Sequence, residues 1–99
     1  MLNLYVNEKV IVRCDRSGVF YGVLLERDGS EAKIGDVRNI HWWEGAATLT
    51  ELSNSGSKLP NECRITAPIP ELLVIDVIEI LPVSEVAQKS LDGIKGWVA

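Results

Sequence analysis

The chain has 99 residues, 46% of them hydrophobic and 24% charged, and ten basic residues against fourteen acidic ones give a net charge of −4. That composition suits one small folded domain and excludes a disordered chain. It also excludes a general DNA or RNA track, which needs a clustered excess of lysine and arginine to release phosphate counterions.

No window approaches the roughly 18 apolar residues of a membrane span, and MLNLYVNEKV lacks a basic start followed by an apolar block. The expectation is a cytoplasmic protein with no membrane role. Cys14 and Cys63 are read as free, buried thiols. A zinc site would have to draw on Cys14, Cys63, the lone His41 and a carboxylate, so no metal and no cofactor is expected.

Lys9–Asp15 (KVIVRCD) and Gly18–Arg27 (GVFYGVLLER) carry the β-branched and aromatic residues of strands, with turn chemistry at Asp15-Arg16-Ser17-Gly18 between them. Asp28-Gly29 marks a hairpin into a third strand near Glu31–Ile34. Gly35-Asp36 then predicts a turn into a fourth strand, Val37–Trp43, so the N-terminal half reads as an antiparallel meander. Ala46, Leu49 and Leu52 have the spacing of one short helical face within Ala46–Ser55, and Gly56 stands where a glycine cap belongs. Ser53–Asn61 reads as a loop and Cys63–Ala67 as a short extended piece. Pro68 and Pro70 keep residues 69–71 (IPE) out of regular structure, at an edge or crossing.

Glu71–Leu81 (ELLVIDVIEIL) reads as a strand apolar on both faces, which must be covered on both sides. It is therefore a central strand under a helix or part of a subunit interface. Ser84 caps a helix over Glu85–Leu91, with Glu85 and Lys89 matched to its dipole and Gly93 closing it. Ile94–Val98 returns as an edge strand. The predicted fold is α+β, a bent antiparallel sheet of five or six strands with two short helices in a single domain, residues 1–99. Three tryptophans and a double-faced strand lead to the expectation of a homo-oligomer.

The densest chemistry lies in Arg38–Leu52 (RNIHWWEGAATLTEL). Trp42 and Trp43 must point to opposite faces of a strand, so one joins the core and the other is a ligand platform or an interface anchor. Parity groups Trp43 with His41 and Trp42 with Arg38, and an arginine beside an indole can hold an anion. Gly45-Ala46-Ala47 leaves the first amides of a helix reachable, and Thr48 adds a hydroxyl. The same residues would be small if the tryptophans simply packed on them. Arg13, if it faces Arg38 across the meander, would add positive charge. Catalysis finds no nucleophile, base or acid constellation, since Asp76 and Glu79 fall on opposite faces of a strand. No enzyme is expected.

VIVR at 10–13, SGVFYG at 17–22, Arg38 ahead of Trp42-Trp43, GAATLTEL at 45–52, Pro60–Cys63 and IEILPVSEVAQKSLDGIKGW at 78–97 together resemble a family of small, largely uncharacterised proteins of bacteriophages and prophages. Asn39 and His41 depart from that pattern, which carries a further basic residue near 39 and an aromatic at 41. The resemblance implies a phage-type accessory protein acting in the host cytoplasm, and by analogy a sponge that sequesters a nucleotide-like signal of antiphage defence. Under that reading Trp42 or Trp43 stacks a base, Arg13 and Arg38 meet phosphate, and His41, Gly45, Ala46, Ala47 and Thr48 complete the site. The alternative is a protein–protein interaction or self-assembling module with no small ligand.

Overall fold

A computed structural model describes residues 4–99. Three strands form the meander: β1 (Lys9–Cys14), β2 (Val19–Asp28) and β3 (Glu31–Trp42). Helix α1 (Leu49–Ser55), a 3-10 turn at Pro60–Glu62 and β4 (Arg64–Ile65) follow. Strands β5 (Ile69–Val74) and β6 (Val77–Pro82) lead into helix α2 (Glu85–Asp92). The fold is thus the expected α+β, with six antiparallel strands in a bent sheet and two helices. Among the described residues no helix is long and apolar enough to cross a membrane.

Strands β1, β2 and β3 pair in sequence order; β6 adds to the far edge of β1, while β5 and β4 share the far edge of β3. Only Ile75 and Asp76 separate β5 from β6, yet these strands pair at opposite rims of the meander. The sheet must therefore curl until one short segment reaches both rims. Inside the curl lie Val10, Val12, Leu24, Ile34, Val37, Val74 and Val77. On the other side of β1 and β2, Ile11 and Tyr21 pack with Leu52 of α1, Ala87 and Leu91 of α2, and Ile65. Full burial of each aliphatic side chain contributes about 1.5–3 kcal/mol.

The doubly covered strand is β1, whose Val10, Ile11 and Val12 are completely buried on alternate sides. Residues 71–81 are not one central strand: they split at Ile75-Asp76 into two edge strands. Residues 69–71, expected outside regular structure, open the first of them, an edge position that tolerates Pro70. Asp76 holds the split. Its carboxylate accepts from Ser17 Oγ (2.5 Å) and from the backbone amides of Arg16 (2.6 Å) and Ser17 (2.9 Å), across the β1–β2 turn. Those bonds hold its pKa down at about 2.

A carboxyl with a folded pKa below its unfolded value of about 4 stabilises the fold above that value and loses its contribution as pH falls toward 2. The urea midpoint of the wild type should therefore fall more steeply between pH 5 and pH 2 than that of Asp76→Asn. Parallel curves would show that the three hydrogen bonds contribute no pH-dependent stability.

Gly35-Asp36 is not a turn. Strand β3 runs straight through it, with Asp36 in the left-handed region (φ 47°) as the extra residue of a bulge between the Tyr21–Arg38 and Val23–Gly35 pairs. At the chain's end, Ile94–Val98 forms one parallel bridge, Thr66 to Trp97, rather than a full edge strand.

Candidate functional site

The structure disperses the proposed anion site. Arg38 is buried, and every donor nitrogen of its guanidinium meets a backbone carbonyl: Nε on Thr66 (2.7 Å), Nη1 on Leu91 (2.7 Å), and Nη2 on Ile94 (2.6 Å) and Ile65 (3.4 Å). Leu91 belongs to the last turn of α2, where the dipole favours a cation; its carbonyl also accepts from the Ile94 amide (3.1 Å). Arg38 is therefore a structural clamp on the C-terminal end of α2 and on β4. Burial lowers its pKa, an effect opposed chiefly by the nearby charge of Asp92.

Arg13 is exposed on β1, separated from β3 by the whole of β2, and pairs with Glu79 on β6 at 3.8 Å. It forms no patch with Arg38. The helix start is equally occupied. Thr48 Oγ1 accepts from the Glu51 amide (3.1 Å), and the Glu51 carboxylate turns back to accept from the Ala47 amide (3.1 Å). The protein's own carboxylate thus sits where an anion was expected. Gly45 has φ 82°, and a Cβ there would meet the Leu59 amide nitrogen, Lys58 N at 2.6 Å and Ser57 Oγ at 2.8 Å. Its smallness serves the Ser57–Leu59 loop, while Ala46 packs against the core.

The tryptophans part between core and solvent, but the parity grouping fails. A register shift between Ile40 and Trp42 leaves Trp42 exposed beside His41 while Arg38 is buried, and Trp43 follows the end of β3. Trp43 is half-buried against the core, and Trp42 is 53% exposed. Trp42 lies directly across from Arg64 on β4. The Arg64 guanidinium sits over the ring of Trp97, 5.7 Å from its centroid, and Trp97 in turn stacks on His41 at 5.1 Å with the rings 8° from parallel. The Trp97 amide donates to the Ile65 carbonyl (2.8 Å), which holds that residue beside β4.

Trp42, Trp97, Arg64, Leu59, Glu44 and Glu62 surround one open hollow of about 600 Å³. Of the residues read from the sequence, only Trp42 lines it; His41 lies against the Trp97 that does. Arg64, Trp97 and the two glutamates were missed. The signal for Trp97 was present, since the return of Ile94–Val98 along the sheet carries the third indole to the edge beside Cys63–Ala67.

Neither thiol is set up as a nucleophile. Burial, with the Asp76 charge adding to it, pushes Cys14 up to about 11. The Cys63 thiol is buried and donates toward the carbonyls of Glu44 (3.5 Å) and Leu59 (3.7 Å) and the Ser57 hydroxyl (3.4 Å).

No curated protein and no solved structure matches the chain. A family match does exist, over residues 7–91, and it stops short of Trp97. Because that span takes in all six strands, α1 and nearly all of α2, the chain belongs to the family described as Domain of unknown function (DUF6948).

Proposed function

We propose that this protein is a non-catalytic docking module whose Trp42–Trp97 hollow receives another protein. One observation carries the reading: two exposed indoles and an exposed leucine share one hollow, with Trp42 53%, Trp97 39% and Leu59 50% exposed. Exposed aromatic side chains grouped in a concave, polar-rimmed surface are the usual anchors of interfaces.

A random-peptide display selection tests it. Enriched peptides should bind the wild type and fail to bind Trp42→Ala, while that variant keeps its stability within about 1 kcal/mol because the ring is half in solvent. Peptides that bind both proteins equally, or no enrichment at all, would remove the hollow from consideration.

Self-association is supported by a separate observation. Ile69, Leu73, Ile75 and Ile78 are 48–67% exposed on and between the two edge strands, and nothing in the described chain covers them. Sedimentation velocity at rising concentration reads this directly, and a monomer throughout would discard it.

Capture of a nucleotide-like anion, as in a phage-encoded anti-defence sponge, ranks second. Its support is that Trp42 and Arg64, paired across β3 and β4, line one hollow, and Glu44 and Glu62 in the same hollow oppose it. A saturable rise in melting temperature with cyclic dinucleotides or common nucleotides would reverse that ranking.

A further inference from the structure

We infer that the hollow docks an extended segment of a partner protein through an arginine or lysine side chain, laid on the Trp42 indole between the carboxylates of Glu44 and Glu62. This rests on the docking reading above and specifies the chemistry of what docks. An indole presents a negative face that attracts a cation. The Trp97 face already carries a guanidinium, that of Arg64, so one half of the hollow displays the arrangement within the protein itself. Among the described residues no cation of the chain lies over Trp42, although that ring is the more exposed of the two.

The charges agree. Two carboxylates and one guanidinium line the hollow, which is net negative in a chain of net charge −4. Among the described residues neither Glu44 nor Glu62 takes part in an ion pair, and Arg64 pairs with neither. Phosphate-bearing partners would meet those carboxylates at close range, whereas a basic side chain would find both of them without partners. Leu59 adds an apolar wall suited to the methylene stem of lysine or arginine. A lone small cation would leave Leu59 and Trp97 uncovered; a chain segment covers them together.

The test is a tryptophan-fluorescence titration with three blocked pentapeptides, Gly-Ala-X-Ala-Gly, in which X is arginine, glutamine or glutamate. The arginine peptide should bind saturably and about tenfold more tightly than the glutamine peptide, with the difference shrinking as salt rises. The glutamate peptide should not bind. The double variant Glu44→Gln/Glu62→Gln should unfold at the wild-type temperature yet hold the arginine peptide about tenfold more weakly. Equal binding of arginine and glutamine peptides, or unchanged affinity in the double variant, overturns the basic anchor while the docking reading stands. Failure of all three peptides also overturns it, and the display selection then decides the docking reading separately.

Discussion

Replacing Arg38 by methionine should destabilise the protein by about 3–5 kcal/mol, a large part of the total stability of a domain this size. Methionine fills part of the space but supplies no donor to the four carbonyls that the guanidinium now serves. The Ile65 and Leu91 carbonyls keep backbone donors, the amides of Trp97 and Ile94, so the loss falls on the Thr66 and Ile94 carbonyls. A buried carbonyl left without a partner costs about 1–3 kcal/mol, moderated where water can enter. For a chain of this length the melting temperature should drop by roughly 15 °C or more. Arg38→Lys should recover less than half of the loss, because one ammonium cannot fan out to carbonyls from β4 and from the end of α2. Amide exchange should rise most over residues 91–97, where the clamp holds the chain. An Arg38→Met protein with wild-type stability would mean that the carbonyls are served equally well by water.

Gly22→Ala should cost about 3 kcal/mol, far more than the usual effect of adding one methyl group. The new Cβ would stand 2.7 Å from the Gly35 carbonyl oxygen, 2.8 Å from Ile34 Cγ2 and 3.1 Å from Val37 Cα. Two of those three neighbours are backbone, so relief requires β3 to move at its bulge, not a rotamer change. The bulge is set by Asp36 at φ 47°, and shifting it would disturb the adjacent pair of Tyr21 with Arg38. Urea unfolding of the variant reads the cost. A loss below 1 kcal/mol would show that the bulge yields easily and that the close approach is no constraint.

Much of the fold was legible from local chemistry. Asp15–Gly18 and Asp28-Gly29 marked real reversals, with Gly18 and Gly29 at positive φ. Ser84 caps α2 through the Ala87 amide, and Gly56 caps α1. Each of these signals acts within four residues, so sequence spacing carries it. Two misreadings share one cause. Gly35-Asp36 has turn composition, but a bulge uses the same conformational freedom without reversing the chain. Glu71–Leu81 has the composition of a central strand, but its split at Asp76 depends on donors from Arg16 and Ser17, about sixty positions away.

The site was less legible for the same reason. Trp42 and Trp43 do divide between solvent and core, but not by alternation. The register shifts between Ile40 and Trp42, so Trp42 is exposed beside His41 while Arg38 and Ile40, of its own parity, are buried. Trp43 lies beyond the end of β3. Arg38 shares the parity of Ile40 and Trp42, and parity does not say what lies beyond the strand. Its carbonyl partners belong to residues 65, 66, 91 and 94. Arg64 and Trp97 meet only because the chain's last turn runs back along β4.

The segment from Ile69 to Pro82 works as a hoop around the meander, and Asp76 is its buckle. The carboxylate that bends the hoop also grips the β1–β2 turn, so neither can shift without the other. The meander pairs neighbours in sequence, whereas the hoop joins partners many residues apart, the kind of contact whose loop-closure cost slows folding. The hoop thus ties the rim formed by β1 and β6 to the rim formed by β3 and β5 through only two residues, Ile75 and Asp76.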